Sequence, residues 1–233
     1  MIARLANKWI PEFMHNPDIT SIPVKMQAAR KTMTSAINRM VNELADDFMG
    51  NTVGWDINGS EPGVFLREGT ISLYFLSTLV GFYACDEYVV IFSIGDGFYA
   101  INGEVTCLDS NDNTPEYLSY NLIPRLLGSV NHHLEFNLHV LPADDVKTIM
   151  VGTDGVRFLI DKNEDNIPGK LRKIGGIEQL WDDKMFTNSD MMRRTLSLLN
   201  KDVHLTDWQG QSMIVCPSIL KDDTTVISAR RTK

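Results

Sequence analysis

Two short acidic segments each adjoin an apolar, β-rich run of the chain. Asp154-Gly155 follows the run at residues 149–151, and Asp222-Asp223 precedes the run at residues 225–227. Two strands of one sheet can bring such carboxylates to a common edge, where their oxygens suit a hard divalent metal ion such as Mn²⁺ or Mg²⁺. Because an Asp-Gly pair after a strand is also a common turn sequence, the two segments together are more informative than either one.

Helical periodicity is strongest in the N-terminal part of the chain. Residues 2–13 and 24–48 carry apolar side chains at helical spacing and are predicted to be helices. Residues 51–69 are rich in Gly, Asn and Pro and are predicted to form a loop around a short strand. Two further helices are expected nearer the C-terminus, at residues 174–181 and 189–200.

Strand patterns fill the middle of the chain and return at its end. A β-meander is predicted from three apolar runs joined by short turns, at residues 77–85, 88–101 and 104–108. Residues 134–140 alternate between apolar and polar side chains, as a half-buried strand does. The last strand, residues 225–229, is expected to lie in the same sheet as the strand that ends at Val151.

Four short motifs follow one another along the chain: Ser77-Thr78-Leu79, Gly95-Asp96-Gly97, Thr153-Asp154-Gly155 and Asp222-Asp223-Thr224-Thr225-Val226. Their types and their order resemble those of the type 2C metal-dependent protein phosphatases, in their compact bacterial form. The resemblance implies an α+β fold, a four-layer α/β/β/α sandwich of two mostly antiparallel sheets. It also implies a protein serine/threonine phosphatase, in which a metal-activated water hydrolyses the phosphomonoester.

The resemblance also implies roles for particular residues. Asp154 and Asp222 would be ligands of a catalytic Mn²⁺ or Mg²⁺, and Asp96 would be a ligand of a third, more weakly held ion. Gly155 and Asp223 would lie next to these ligands. The implied partners are a phosphorylated serine/threonine protein as substrate and a cognate kinase. The resemblance identifies no catalytic residue other than the metal ligands.

The start of the chain departs from the family pattern. Family members open with two strands and an Asp-Gly motif whose aspartate bridges two metal ions, whereas the Asp-Gly pairs here are those at Asp96 and Asp154. Residues 1–13 resemble the helix that follows that motif. We therefore expect a single phosphatase-like domain, residues 1–233, that is N-terminally incomplete and binds metal weakly. Two alternatives are a catalytically impaired module that acts by binding a partner, and an unrelated binding domain whose acidic turns are structural.

Composition narrows the class of protein further. The chain has 233 residues, 43% hydrophobic, which is enough for one sizeable core. Its net charge of −8 argues against binding to nucleic acid or to a membrane surface, because both reward clustered Lys and Arg. Cys85, Cys107 and Cys216 are few and widely spaced, which favours reduced thiols and a cytoplasmic location.

Overall fold

The computed structural model describes residues 1–15, 18–50, 62–109, 116–123, 135–161, 165–188 and 190–232. It combines helices with antiparallel sheets, so the predicted α+β class is confirmed. The chain forms two compact units. Unit 1 consists of Met1–Cys85, Val89–Asp96 and Asp109–Val140. Unit 2 consists of Asp86–Tyr88, Gly97–Leu108 and Leu141–Lys233.

Three helices form one part of unit 1: α1 (Ile2–Phe13), α2 (Ile22–Gly50) and α3 (Pro62–Tyr74). The first two confirm the helices predicted from periodicity. They contact each other through an apolar stripe on each helix, and the stripes are buried. Members of the stripes are Ile2, Ala6 and Ile10 on α1, and Ile22, Met26, Met33 and Ile37 on α2.

Helix α3 corrects the prediction of a loop at residues 51–69. Residues 62–69 are helical, and residues 51–61 lie outside the described part of the chain. Proline and glycine suggested a loop, but proline suits the first turn of a helix, where its missing N–H is not needed. Arg67 ties α3 to α2 by donating from Nη2 to Asn38 Oδ1 at 2.5 Å and from Nε to Asn42 Oδ1 at 3.1 Å.

A three-stranded sheet lies mostly in unit 1. Its order is β1 (Leu79–Ala84), β2 (Tyr88–Ile94) and β5 (Asn137–Pro142), the last shifted by two to three residues from the predicted strand. Strands β1 and β2 are antiparallel. All seven residues of the central strand β2 are buried. The Tyr83 hydroxyl donates to Met14 O at 3.1 Å and so links β1 to the end of α1.

The predicted β-meander is wrong, because its long middle strand is two strands in different sheets. Strand β2 ends at Ile94, and β3 (Gly97–Ile101) begins after Gly95 and Asp96. Both flanking glycines have positive φ, +80° at Gly95 and +140° at Gly97. Glycine adopts such angles without steric cost, so the Gly-Asp-Gly sequence redirects the chain instead of continuing the strand.

Unit 2 is built on a four-stranded antiparallel sheet with the order β4-β3-β6-β9. Besides β3, its strands are β4 (Glu104–Leu108), β6 (Thr148–Gly152) and β9 (Val226–Arg230). Strands β6 and β9 pair directly, with Gly152 opposite Val226. The prediction that the last strand lies beside the strand ending at Val151 is therefore confirmed.

Short helices cover one face of this sheet. They are α4 (Arg157–Asp161), α5 (Asp183–Thr187) and α6 (Met191–Leu199), together with 3-10 helices at Asp154–Val156 and Ile177–Trp181. Apolar residues of the sheet and of the helices share one buried cluster. Among them are Phe98, Ala100, Met150, Val156, Leu159, Leu180 and Leu199. The helix predicted at residues 189–200 is confirmed as α6. Of the helix predicted at residues 174–181, the part Ile177–Trp181 is helical, as a 3-10 helix.

A β-hairpin that the sequence did not predict lies between α6 and β9. It consists of β7 (Val203–Asp207) and β8 (Ser212–Cys216) and forms a sheet of two strands. Among the described residues, the helices all lack the combination of length and apolar character that spanning a membrane requires.

Candidate functional site

The two acidic segments meet at one edge of the β6–β9 pair. The antiparallel pairing places the end of β6 beside the start of β9. Backbone hydrogen bonding continues past the strands, because Thr153 N donates to Thr225 O at 3.0 Å. Thr153 Oγ1 also accepts from Thr225 N at 3.0 Å and donates to Asp223 O at 3.0 Å. The Thr153 hydroxyl is thus the cross-link between the segment of Asp154 and the segment of Asp222.

Gly155 allows the acidic loop to approach the turn after β6. A β-carbon at this position would lie 2.5 Å from Thr224 Oγ1, 3.0 Å from Asp223 O and 3.3 Å from Asp222 O. Contacts this short leave no room for a side chain. Gly155 therefore lies directly against residues 222–224, beside two of the predicted ligands, although the sequence alone suggested a turn as its simplest role.

The acidic loop has its own internal hydrogen bonds. Asp222 Oδ1 accepts from Asp223 N at 2.7 Å, and Thr224 Oγ1 donates to Asp222 O at 3.0 Å. Asp222 and Asp223 are exposed, and Asp154 is half-buried on the facing turn. The junction offers carboxylate, carbonyl and hydroxyl oxygens and neither imidazole nor thiolate among these residues, a donor set that suits Mg²⁺ or Mn²⁺ better than Zn²⁺.

Asp96, the third predicted ligand, belongs to unit 1, where it lies between Gly95 and Gly97. Within the described ranges, no group of three or more His, Cys, Asp or Glu side chains could hold a metal ion. The described residues therefore fit a metal in donor type but supply only part of a ligand set. The metal-binding roles of Asp154, Asp222 and Asp96 remain predictions, as does the role of Asp223 beside them.

Asp202 anchors the chain just before the acidic loop. Ser218 N donates to Asp202 Oδ1 at 2.6 Å. This bond, followed by one from the Ser218 side chain, lowers the pKa of the Asp202 carboxyl below its ordinary value of 3.8. The nearby charges of Lys221 and His204 lower that pKa further, while desolvation opposes the shift.

Replacing Asp202 with asparagine should make the free energy of unfolding vary less with pH in the acid range. A carboxyl whose pKa is lower in the folded state contributes stability that is present above its unfolded pKa and is lost as pH falls through the folded pKa. The difference in unfolding free energy between the parent protein and Asp202→Asn should thus be constant above about pH 5 and shrink below it. Urea unfolding at a series of pH values measures this difference. A difference that stays constant at all pH values would contradict the assignment.

A cleft of about 560 Å³ lies beside the acidic loop in unit 2. Its lining consists of residues 165–171, Leu205 of β7, residues 215–219 and Lys221, the neighbour of Asp222. Lys170 contributes a second cation to a lining that is mostly apolar. Volumes of this size are typical of binding pockets.

Comparison with solved structures finds a likeness to the phosphatase domain of the cell fate determinant SpoIIE from Bacillus subtilis. The match covers 84% of this chain and 72% of that chain, at 13% sequence identity and a TM-score of 0.27. Family models and curated proteins give no match. The likeness is too distant to transfer residue roles, so any role must rest on the geometry of the chain itself.

Proposed function

We propose that this protein is a phosphatase-like hydrolase that depends on Mn²⁺ or Mg²⁺ and acts on phosphoserine and phosphothreonine in proteins. The observation that carries the proposal is the junction of Thr153–Gly155 with residues 222–225. This junction unites two of the four motifs that resemble type 2C phosphatases, and it does so through the hydrogen bonds of Thr153.

Each residue of the junction has a distinct role in this proposal. Asp154 and Asp222 supply carboxylate oxygens, and Thr153 holds their segments at a fixed separation. Asp223 adds negative charge next to Asp222, and Gly155 leaves the space in which the loop lies. A metal ion bound there would supply acidified water and positive charge for the phosphoryl group. Lys221 and the adjoining cleft would receive the polypeptide around the phosphorylated residue.

A phosphatase-like module that binds a partner without catalysis is the second candidate. It is favoured by the set of proposed ligands, because the junction supplies only Asp154 and Asp222 as carboxylate ligands, and a two-metal centre needs more. In both cases a cytoplasmic location is proposed, since the three cysteines of the chain are few and widely spaced, as in proteins that keep their thiols reduced.

The test compares the parent protein with Asp154→Asn, which removes a charge but preserves the shape of the side chain. Calorimetric titration should show Mn²⁺ binding by the parent and loss of most of that binding in the variant, while circular dichroism shows the same fold. Equal Mn²⁺ affinity in the two proteins would rule out Asp154 as a ligand. Hydrolysis of p-nitrophenyl phosphate and of a phosphothreonine peptide then separates the two candidates. Metal binding without turnover of either compound favours the partner-binding module.

A further inference from the structure

A tight turn at residues 167–170 forms one part of the lining of the cleft in unit 2. Lys170 N donates to Ile167 O at 2.9 Å, and Ile167 N donates to Arg172 O at 2.9 Å. A β-carbon at Gly169 would lie 2.6 Å from Val203 Cγ1, so the turn packs directly against β7. Backbone hydrogen bonds and this close approach together fix the position of the turn.

Residues 215–219 form a second part of the lining, and hydrogen bonds also hold them in place. Ser218 N donates to Asp202 Oδ1 at 2.6 Å, and Ile219 N donates to Leu199 O at 2.8 Å. Contacts within the chain thus position both parts of the lining. Clefts that are largely formed in advance are typical of binding sites.

The cleft exposes apolar side chains to solvent. Leu171 is 98% exposed, Val215 52% and Leu205 41%, and all three line the cleft. Removing apolar surface from water is favourable. A ligand that contributes an apolar side chain would therefore bind more tightly than a wholly polar ligand.

The charge of the cleft selects among apolar ligands. Among the described residues that line it, Lys170 and Lys221 are the cations and Asp165 is the anion, so the lining is net positive in a chain of net charge −8. Lys221 also attracts the Asp202 carboxylate, and the run at 170–173, Lys-Leu-Arg-Lys, adds two cations beside the turn. A positive cleft attracts an acidic ligand and repels a basic one.

We propose that this cleft binds an extended polypeptide segment in which an apolar residue is flanked by acidic residues, and that the segment lies a few residues from the phosphorylated residue of the protein substrate. Its apolar side chain would contact the exposed leucines and valine of the lining, and its acids would pair with Lys170 and Lys221. The placement rests on the proposed function, because Lys221 immediately precedes Asp222. Neighbouring Cα atoms are about 3.8 Å apart, and an extended ligand rises about 3.3 Å per residue. A segment at Lys221 is therefore within a few residues of a phosphate at the acidic junction.

Fluorescence anisotropy with labelled peptides tests the cleft without relying on catalysis. The first peptide carries Glu-Leu-Glu on each side of a phosphothreonine, the second carries Lys-Leu-Lys and the third Glu-Gly-Glu, and each is also made without the phosphate. In a chelator at physiological ionic strength, the Glu-Leu-Glu peptide should bind at least about tenfold more tightly than the other two, with or without its phosphate. The lysine peptide places like charges against the cleft, and the glycine peptide offers no apolar side chain.

Reversing the charge of the cleft shows where the peptide binds. Lys170→Glu combined with Lys221→Glu should weaken binding of the Glu-Leu-Glu peptide by about tenfold or more, and the Lys-Leu-Lys peptide should now bind more tightly than it. Loss of folding could not produce that reversal. Lys147→Glu is the matched control, since Lys147 is exposed and lies outside the lining; this variant should bind the peptides as the parent does.

Removing an exposed leucine tests the apolar contact. Leu171→Ser should narrow the difference in affinity between the Glu-Leu-Glu and Glu-Gly-Glu peptides, because it deletes part of the apolar surface that the ligand leucine would cover. Leu73→Ser is the matched control, since Leu73 is 76% exposed on α3 and does not line the cleft. That variant should keep the full difference.

The outcomes distinguish this inference from the proposed hydrolase activity. Equal binding of the three peptides, or a preference that the double substitution leaves unchanged, overturns the inference, while Mn²⁺ titration of Asp154→Asn still decides the hydrolase. A preference that the double substitution reverses supports the cleft, whichever way that titration comes out. If the phosphorylated peptides are hydrolysed, kcat/KM should follow the order of binding. Equal kcat/KM for all three would overturn the placement of the segment near the phosphorylated residue.

Discussion

Replacing Gly155 with alanine should weaken Mn²⁺ binding at the β6–β9 edge by at least about tenfold, the lower end of the loss seen when residues that support metal ligands are changed. The added methyl group would lie 2.5 Å from Thr224 Oγ1 and 3.0 Å from Asp223 O. The threonine side chain can rotate away, but the backbone oxygen moves only if the loop moves. Displacing that loop would also disturb the hydrogen bond from Thr153 Oγ1 to Asp223 O. Overpacking of this kind costs about 1–3 kcal/mol of unfolding free energy.

Gly69→Ala is the matched control for this change. No atom lies within 4 Å of a β-carbon at Gly69, and that glycine lies inside helix α3. Alanine is about 0.5–1 kcal/mol more favourable than glycine in such a position, so this variant should unfold at higher urea concentration and bind Mn²⁺ like the parent. Urea unfolding and calorimetric titration of both variants provide the comparison. Unchanged Mn²⁺ affinity in Gly155→Ala would show that the position of the acidic loop does not determine metal binding.

The contact between the segments of Asp154 and Asp222 could be predicted from the sequence, because each segment directly adjoins the end of a predicted strand. Residues 149–151 and 225–227 are apolar and β-rich, and the acids adjoin them directly. Once β6 and β9 pair, the end of one and the start of the other must lie together. The role of Thr153 as a cross-link could not be predicted in this way, because its hydroxyl forms hydrogen bonds with residues about 70 positions away in the sequence. The Thr-Asp-Gly motif was the only sequence feature that included Thr153, and it suggested a role for Asp154 alone.

The errors in the predicted fold arise where a short sequence pattern is compatible with two different local structures. Gly95 and Gly97 looked like interruptions within one long strand, but their positive φ angles separate two sheets. Pro62 looked like a loop residue, although it opens helix α3, which Arg67 attaches to α2 through bonds to residues far away in sequence. The β7–β8 hairpin escaped prediction because its strands show no alternation of buried and exposed residues; four of the five residues of β8 are exposed.

Two neighbouring substitutions, Asp222→Asn and Asp223→Asn, should distinguish direct coordination of Mn²⁺ from electrostatic attraction by a nearby charge, at the edge where β6 and β9 meet. Both remove one negative charge and preserve the shape of the side chain. In Asp222→Asn the side-chain amide oxygen can still accept the hydrogen bond that Asp223 N donates, so the loop should keep its conformation. If Asp222 is a ligand, its substitution should lower Mn²⁺ affinity by more than about 100-fold, beyond the range for residues that only support a ligand. Asp223→Asn should cost about tenfold or less, as expected for a nearby charge.

The same calorimetric titration at low and at physiological ionic strength completes this experiment. Salt screens the contribution of an exposed charge such as Asp223 far more than that of a direct metal–oxygen bond. The effect of Asp223→Asn should therefore diminish as salt is added, while the effect of Asp222→Asn should persist. Equal losses in the two variants, both removed by salt, would mean that the acidic loop attracts cations without coordinating them. Asp222 would then not be a metal ligand, and the partner-binding module would become the better account of this protein.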